Sequence, residues 1–205
     1  VMTKSPLTGA VTCSNSGGEF PAALKRAGID MIVFSGAAAA PVYLWIDDGR
    51  AELRPAAHLW GMTTHETDAA LRLETHPEAH TACIGPAGER GVLFASIMND
   101  KDRAAGRSGV GAVMGAKRLK AVVVRGTSPV PIHDEAAFKA LVKKFNRKFL
   151  DSLQGKPPGL RTYGTAATIA GVQTVGALPM RNFQQGTFEG WEALSGQPLT
   201  EKFLV

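Results

Sequence analysis

Short apolar runs recur through the first 127 residues of the chain, separated by polar and glycine-containing segments. They lie at 31–34, 42–46, 81–84, 92–97 and 119–124, and the turn residues Asp47-Asp48-Gly49 lead from the second run into a further predicted strand at 51–54. Runs of this length bounded by turn residues predict strands. Thr64 is a candidate cap for a helix that runs to about Glu74, with acidic residues in its first turns. Because strands and helices do not alternate regularly, the pattern predicts an α+β fold.

The pattern changes after Thr127. Pro129 and Pro131 stand close together, which prevents a continuous helix or a central strand and predicts a linker. Asp134 is a candidate helix cap, and the apolar positions that follow it have helical spacing: Ala137, Phe138, Leu141, Val142, Phe145 and Phe149. We therefore expect a first domain over 1–127, followed over 128–205 by a linker and the start of a helical domain.

One arrangement of residues occurs twice in the first domain. Ser16-Gly17-Gly18 leads into the apolar run at 29–36, and Ser108-Gly109-Val110 leads into the run at 119–126. Each copy contains a glycine-rich turn, a short predicted helix, a basic residue, an apolar strand and a closing glycine. This echo predicts an internal pseudo-duplication, although such units are common enough in α+β chains for chance to remain an alternative.

Both copies have the composition of an anion-binding loop. A glycine-rich turn before a helix presents main-chain N–H groups at the positive end of the helix dipole. The first candidate site comprises Asn15, Ser16, Gly17 and Gly18; the second comprises Arg103, Ala104, Ala105, Gly106 and Arg107, followed by Gly109 and Gly111. Arginine adds a planar, permanently charged fork suited to phosphate. The alternative is that these glycines only form tight turns.

The known nucleotide-binding motifs do not match these loops. Gly106 and Gly111 have Walker A spacing, but Ala112 and Val113 stand where Lys and Ser or Thr are needed. Gly109-Val110-Gly111 is followed by Gly115, one residue too late for the dinucleotide-binding fingerprint. A P-loop is excluded, and a Rossmann-type site is not expected.

Composition and charge narrow the classes of partner. The 205 residues are 44% apolar and 20% charged, with a net charge of +5. The basic residues are dispersed, with local clusters at 117–120 and 143–148, and are rarely interleaved with aromatics, so no nucleic-acid partner is expected. A bound polyanionic cofactor explains the surplus of positive charge equally well. The sequence contains neither a long apolar span nor a signal peptide pattern, which predicts a cytoplasmic protein without a membrane partner.

Cysteine and histidine usage indicates no metal site. Cys13 and Cys83 lie far apart in small or apolar surroundings and are interpreted as buried free thiols in a reducing compartment. His76 and His80 have the spacing of a helical metal pair, but Pro77 between them favours a surface loop. The chain begins at Val1 rather than at an initiator Met, and we expect it to be a fragment.

Several longer motifs occur in one order: Thr3-Lys4-Ser5-Pro6-Leu7-Thr8-Gly9, Asn15-Ser16-Gly17-Gly18, Ile84-Gly85-Pro86-Ala87-Gly88-Glu89, Ile97-Met98-Asn99-Asp100, and Arg103-Ala104-Ala105-Gly106-Arg107 with Gly109-Val110-Gly111-Ala112-Val113-Met114-Gly115. Together they resemble the N-terminal domain of the aldehyde:ferredoxin oxidoreductase family. The resemblance continues more weakly through Tyr163-Gly164-Thr165 and Arg181-Asn182-Phe183-Gln184, into the start of the family's helical second domain.

The resemblance implies a twisted mixed β-sheet base beneath a cofactor in which two pterins hold tungsten or molybdenum and a Mg²⁺ bridges their phosphates. It implies that Asn15 and Ala104 offer main-chain carbonyls to the Mg²⁺, a hard cation that prefers oxygen. Gly17 and Gly106 would approach the pterin closely, and Arg103 would pair with phosphate. The loop residues Ser16 and Gly18 complete the cofactor-binding set. No catalytic residue is expected within this chain.

The resemblance also implies an activity that this segment alone would not support. It is the oxidation of aldehydes to carboxylic acids, with electrons passing through a 4Fe–4S cluster expected only in the full-length protein. The implied partners are a small-molecule aldehyde, ferredoxin or an electron-transfer subunit, and a second copy in a homodimer. Two alternatives remain at this point: a related aromatic acyl-CoA reductase, and a stand-alone module that binds a phosphorylated ligand.

Overall fold

A computed structural model of the chain describes residues 1–156 and 159–203. The chain forms two compact units, Val1–Pro131 and Ile132–Val205. The first unit contains every strand among the described residues, and the second is helical. The elements of the first unit are β1 Met2–Lys4, β2 Val11–Cys13, α1 Phe20–Arg26, β3 Val42–Asp47, β4 Arg50–Pro55, α2 Thr64–Glu74, β5 His80–Cys83, α3 Pro86–Glu89, β6 Ile97–Asn99, β7 Arg103–Ala105, α4 Val110–Ala116 and β8 Leu119–Arg125. Those of the second unit are α5 Glu135–Leu153, α6 Leu160–Tyr163, α7 Ile169–Thr174 and α8 Gly196–Phe203. Short 3₁₀ turns lie at Ala57–Leu59, Gly164–Thr168 and Trp191–Leu194.

Six strands form one mixed sheet in the order β4-β3-β8-β5-β6-β7, and β1 and β2 form a separate hairpin. The β3–β8 pair is parallel, whereas the other pairs are antiparallel. The predicted turn after β3 is present, with Asp48 and Gly49 in the left-handed region at φ 45° and 85°. This six-stranded mixed sheet with its helices confirms the predicted α+β class.

A separate apolar core covers each face of the sheet, because successive side chains of a strand point to opposite faces. Leu44 and Ile46 of β3 pack in the first core, with Ala23 of α1 and Met114 of α4. The second core contains residues from β3, β8, α2 and the first 3₁₀ turn, among them Tyr43, Trp45, Ala121, Val123, Leu59 and Leu71. Helices therefore cover both faces of the sheet.

Two strand predictions were wrong. Residues 31–34 form no strand, and the run at 92–97 contributes only Ile97 to the short strand β6. The internal echo is consequently partial. Both copies have the glycine turn and a seven-residue helix, α1 and α4, but only the second helix is followed by a strand.

The first helix of the second unit, α5, begins after a predicted cap. Asp134 Oδ1 accepts a hydrogen bond from the Ala137 N–H at 2.9 Å, and α5 follows with no buried residue. The remaining helices of this unit are short, at most eight residues long.

Among the described residues, no helix combines the length and apolarity needed to cross a bilayer.

Candidate functional site

The two predicted loops lie side by side in the first unit. The Arg107 N–H donates to Ser14 Oγ at 3.1 Å, and Asn99 Nδ2 donates to the Gly17 carbonyl at 2.7 Å. A Cβ placed on Gly18 would lie 3.1 Å from Cγ of Arg103. The structure thus brings residues 15–18 and 103–107, which are far apart in sequence, to one place on the surface.

Most of the predicted site residues are open to solvent. Ser16 is half-buried, and the other six are exposed: Asn15, Gly17, Gly18, Arg103, Ala104 and Gly106. Within the described residues, the Arg103 guanidinium has neither a hydrogen-bond nor an ion-pair partner. An exposed, unpaired arginine beside exposed main chain is an arrangement that suits an anion.

The glycines of this region fall into two kinds. A Cβ on Gly17 would meet nothing within 4 Å, and one on Gly106 would meet only the Ala104 Cβ at 3.7 Å. Neither glycine has a positive φ. In contrast, a Cβ on Gly109 would lie 1.9 Å from the Leu93 carbonyl oxygen, and one on Gly111 2.4 Å from that of Ser96. Packing and turn geometry thus require glycine at 109 and 111 but not at 17 and 106.

Some N–H groups at the helix starts are already used within the protein. At the start of α1, the N–H groups of Glu19 and Phe20 donate to Asp100 Oδ2 at 2.6 and 2.9 Å. At the start of α4, the Gly111 N–H donates to the Ala95 carbonyl at 2.9 Å. These three N–H groups are therefore not available to a ligand.

Three residues that the sequence did not assign to the site support the first loop. Asn99 and Asp100 make the contacts described above, and His80 Nδ1 lies 2.8 Å from Asp100 Oδ1. The prediction that His80 lies in a surface loop was wrong, because it belongs to β5. The one available signal was the position of Asn99 and Asp100 just ahead of the second loop.

The two cysteines differ. Cys83 is buried, and desolvation by burial raises the pKa of its thiol to about 12. Cys13 is exposed, which corrects the prediction that both thiols are buried. Its Sγ lies 3.5 Å from Asn15 Oδ1, at the border of the first loop. Among the described residues, no three or more His, Cys, Asp or Glu side chains cluster as metal ligands would.

Known protein families match most of the chain. The family described as aldehyde ferredoxin oxidoreductase, N-terminal domain, matches residues 1–126, and the one described as domains 2 and 3 matches residues 140–205. The tungsten-containing aldehyde ferredoxin oxidoreductases of Thermococcus kodakarensis and Pyrococcus furiosus are 49% and 48% identical to the chain over its whole length. The chain spans about a third of these relatives, 34% of each.

A solved structure is also similar to this chain: the active site complex BamBC of benzoyl coenzyme A reductase in complex with 1,5-dienoyl-CoA. Its TM-score is 0.72 at 38% sequence identity. The similarity covers 76% of this chain and 24% of the solved one.

Proposed function

Because the chain belongs to the aldehyde ferredoxin oxidoreductase family, we propose that it forms the cofactor-binding part of an enzyme that oxidises aldehydes to carboxylic acids. The cofactor would comprise a tungsten or molybdenum ion, two pterins with their phosphates, and Mg²⁺. When bound, it supplies the metal at which the substrate is oxidised. The residues of this chain bind and orient it.

The observation that carries the proposal is the open main chain at Gly17 and Gly106. No packing contact or left-handed backbone conformation requires glycine at either position. A flat ligand that approaches the main chain within hydrogen-bonding distance does require it, because a Cβ would occupy that space. The unpaired guanidinium of Arg103 stands beside this surface, where it can form two parallel hydrogen bonds to a phosphate.

Two main-chain carbonyls are proposed as Mg²⁺ ligands, those of Asn15 and Ala104. Mg²⁺ is a hard cation that binds oxygen ligands, commonly protein oxygens together with phosphate oxygens. Ala104 belongs to β7, which is an edge strand of the sheet. Since an edge strand leaves part of its main chain unpaired, carbonyl oxygens at this edge are accessible to a cation. Ser16 and Gly18, in the first loop, complete the proposed set of cofactor-binding residues.

The wider reaction follows from the same proposal. In the full-length protein, a 4Fe–4S cluster would supply electron transfer, with ferredoxin or an electron-transfer subunit of the cytoplasm as the partner. The intact protein acts on a small-molecule aldehyde and forms a homodimer. These steps rest on the family, whose curated relatives are named aldehyde ferredoxin oxidoreductases.

One alternative activity is favoured by a specific observation. The similar solved structure is named a benzoyl coenzyme A reductase, so reduction of an aromatic acyl-CoA is the second candidate. Assays of the intact protein with an aldehyde and with benzoyl-CoA separate the two activities. A stand-alone module for a phosphorylated ligand is disfavoured, because the family match resumes in the second unit at residue 140.

Replacement of Arg103 tests the cofactor site. We expect Arg103→Ala to lower the pterin and metal content of the intact protein, because the phosphate loses a charged, bidentate partner. The melting temperature of the cofactor-free form should stay within a few degrees of the parent, since an exposed arginine contributes little packing. Metal analysis, pterin fluorescence and thermal denaturation provide the measurements.

Arg90→Ala is the matched control, because Arg90 is also exposed and lies outside the two loops. It should leave cofactor content unchanged. Retention of normal pterin and metal content in Arg103→Ala would contradict the proposed site.

A further inference from the structure

We propose that Asn99 and Asp100, oriented by His80, form a clasp that positions the two cofactor loops against each other before the cofactor binds. We call these three residues the loop clasp. The inference deepens the proposed function and rests on it, because it assigns positioning residues to the same site. None of the three is proposed to touch the cofactor.

The clasp holds the first loop at one main-chain atom and the helix that follows the loop at two. Asn99 Nδ2 donates to the Gly17 carbonyl at 2.7 Å, and Asp100 Oδ2 accepts from the N–H groups of Glu19 and Phe20, at the start of α1, at 2.6 and 2.9 Å. The other Asp100 oxygen lies 2.8 Å from His80 Nδ1. The clasp thus fixes the main chain of the loop at Gly17 and the point where the loop enters α1.

The clasp itself stands on a rigid base. Asn99 is 5% exposed and pairs across the sheet with both Ala82 and Arg103. The Asp100 N–H donates to the Thr81 carbonyl at 3.2 Å, and Asp100 adopts a left-handed conformation at φ 48°. Such a conformation persists in a residue other than glycine when its surroundings determine it. The base is thus set by the sheet.

The same hairpin carries the arginine of the second loop. Arg103 is the cross-strand partner of Asn99, so one rigid unit holds both the clasp and the proposed phosphate ligand. A cradle made of main chain has no side-chain rotamers with which to adjust to its ligand. Its geometry is therefore set by its supports, and a displacement of the first loop relative to Arg103 would misplace the whole site.

Asp100→Ala in the intact protein tests the clasp. Loss of a supporting partner of this kind typically lowers metal affinity by about 10–100-fold, and we expect pterin and metal content to fall well below the parent. In the cofactor-free protein, hydrogen exchange should accelerate at Glu19 and Phe20 and remain unchanged in β3. Asp100→Asn keeps one oxygen acceptor and most of the volume, so it should show the same pattern with a smaller loss.

Asp48→Ala is the matched control. Asp48 is also an aspartate with positive φ, and it accepts hydrogen bonds from the Thr127 N–H and Oγ–H, each at 2.7 Å, at a site away from both loops. This variant should bind a normal amount of cofactor. It reproduces the strain and the lost hydrogen bonds without affecting the clasp.

The outcomes separate the two proposals. Loss of cofactor in Arg103→Ala with normal content in both Asp100 variants would overturn the clasp and leave the proposed function intact. Normal content in the Arg103 and Asp100 variants alike would overturn both. Exchange that accelerates equally in β3 and at Glu19 would also overturn the clasp, because Asp100 would then support the fold rather than the loop. If Asp100→Ala does not fold, the Asp100→Asn result decides.

Discussion

At the scale of single residues, the glycines of the two loops separate packing from ligand contact. Gly109 and Gly111 have carbonyl oxygens where a Cβ would stand, whereas Gly17 faces open space and Gly106 has only ordinary contact. Glycine also costs folding free energy, because it loses more main-chain freedom than other residues. Its presence at 17 and 106 is therefore unexplained by the fold of this chain.

Replacement by alanine makes the difference measurable. We expect Gly17→Ala and Gly106→Ala to leave the cofactor-free protein as stable as the parent or more stable by about 0.4–1 kcal/mol, because the unfolded chain loses entropy. The same variants should lower the pterin and metal content of the intact protein. Thermal denaturation and metal analysis on the same preparations provide the two measurements.

Gly109→Ala is the control, and we expect the opposite effect on the stability of the cofactor-free protein. Its Cβ would collide with the main chain at Leu93, and its φ of 71° disfavours alanine, so stability should fall even without cofactor. If Gly17→Ala and Gly106→Ala bind cofactor normally, the main-chain cradle is wrong.

At the scale of elements, a buried ion pair joins three parts of the first unit. Lys120 of β8 is fully buried and donates to Glu89 of α3 at 2.5 Å and to the Met62 carbonyl at 2.9 Å. The second oxygen of Glu89 accepts from the Gly61 N–H at 2.8 Å. Lys120 thus does not belong to the surface basic cluster in which the sequence placed it.

Loss of one partner should be costly, because it leaves the other charge buried and unpaired. We expect Lys120→Met to lower the free energy of unfolding by about 3–5 kcal/mol. The double variant Lys120→Met/Glu89→Gln should recover part of that loss, since it removes the charge and keeps an acceptor for Gly61. Urea denaturation followed by circular dichroism gives both values, and a loss below about 1 kcal/mol in the single variant would refute the expectation.

Elements with strong local signals were predicted accurately. Helix α2 spans the predicted residues Thr64–Glu74, although Thr63 rather than Thr64 is its cap, and Asp134 caps α5 as expected. The strand predicted at residues 31–34 is absent for a tertiary reason. Ile32 and Phe34 pack against the first core whereas Met31 and Val33 are exposed, so burial alternates along this segment as it does in a strand. Both edges of β3 are already paired, with β4 and β8.

The sequence indicates the two loops of the proposed site but not their supports. Glycine and arginine select residues 15–18 and 103–107 as candidates, because their chemistry suits a phosphate, and the binding role of these residues stays a prediction. Asp100, in contrast, contacts α1 across 80 and 81 positions of sequence. A contact of that separation has no local pattern, and the same is true of its pairing with His80. Only the folded sheet brings these residues together.

At the scale of the whole molecule, the buried core is unevenly distributed. Both apolar clusters draw all their buried members from residues between Ala23 and Val124. Among the described residues of the second unit, only Gly196 is buried. The apolar residues of α5 other than the half-buried Leu153 are exposed, with Phe145 at 68%. Stability of this chain therefore resides in its first unit.

Division of the chain at the unit boundary tests this distribution. We expect residues 1–131 produced alone to unfold cooperatively, with a melting temperature close to that of the 205-residue chain, because no core residue is lost. Residues 132–205 alone should unfold without a cooperative transition and bind a hydrophobic dye, since they bury little apolar surface. Circular dichroism melts of the two segments decide, and a non-cooperative melt of 1–131 would refute the prediction.

The position of β8 has a consequence for the order of folding. Among the strands of the described residues it is synthesised after all the others, yet it lies inside the sheet, between β3 and β5. Until the ribosome has released it, the β3–β4 hairpin and the β5–β6–β7 meander have no common partner. Translation from Asp47 to Leu119 takes several seconds at about 5–20 residues per second. During that interval, the inner edge of β3, and later that of β5 once residues 80–83 have been synthesised, stay open to pairing with other nascent chains.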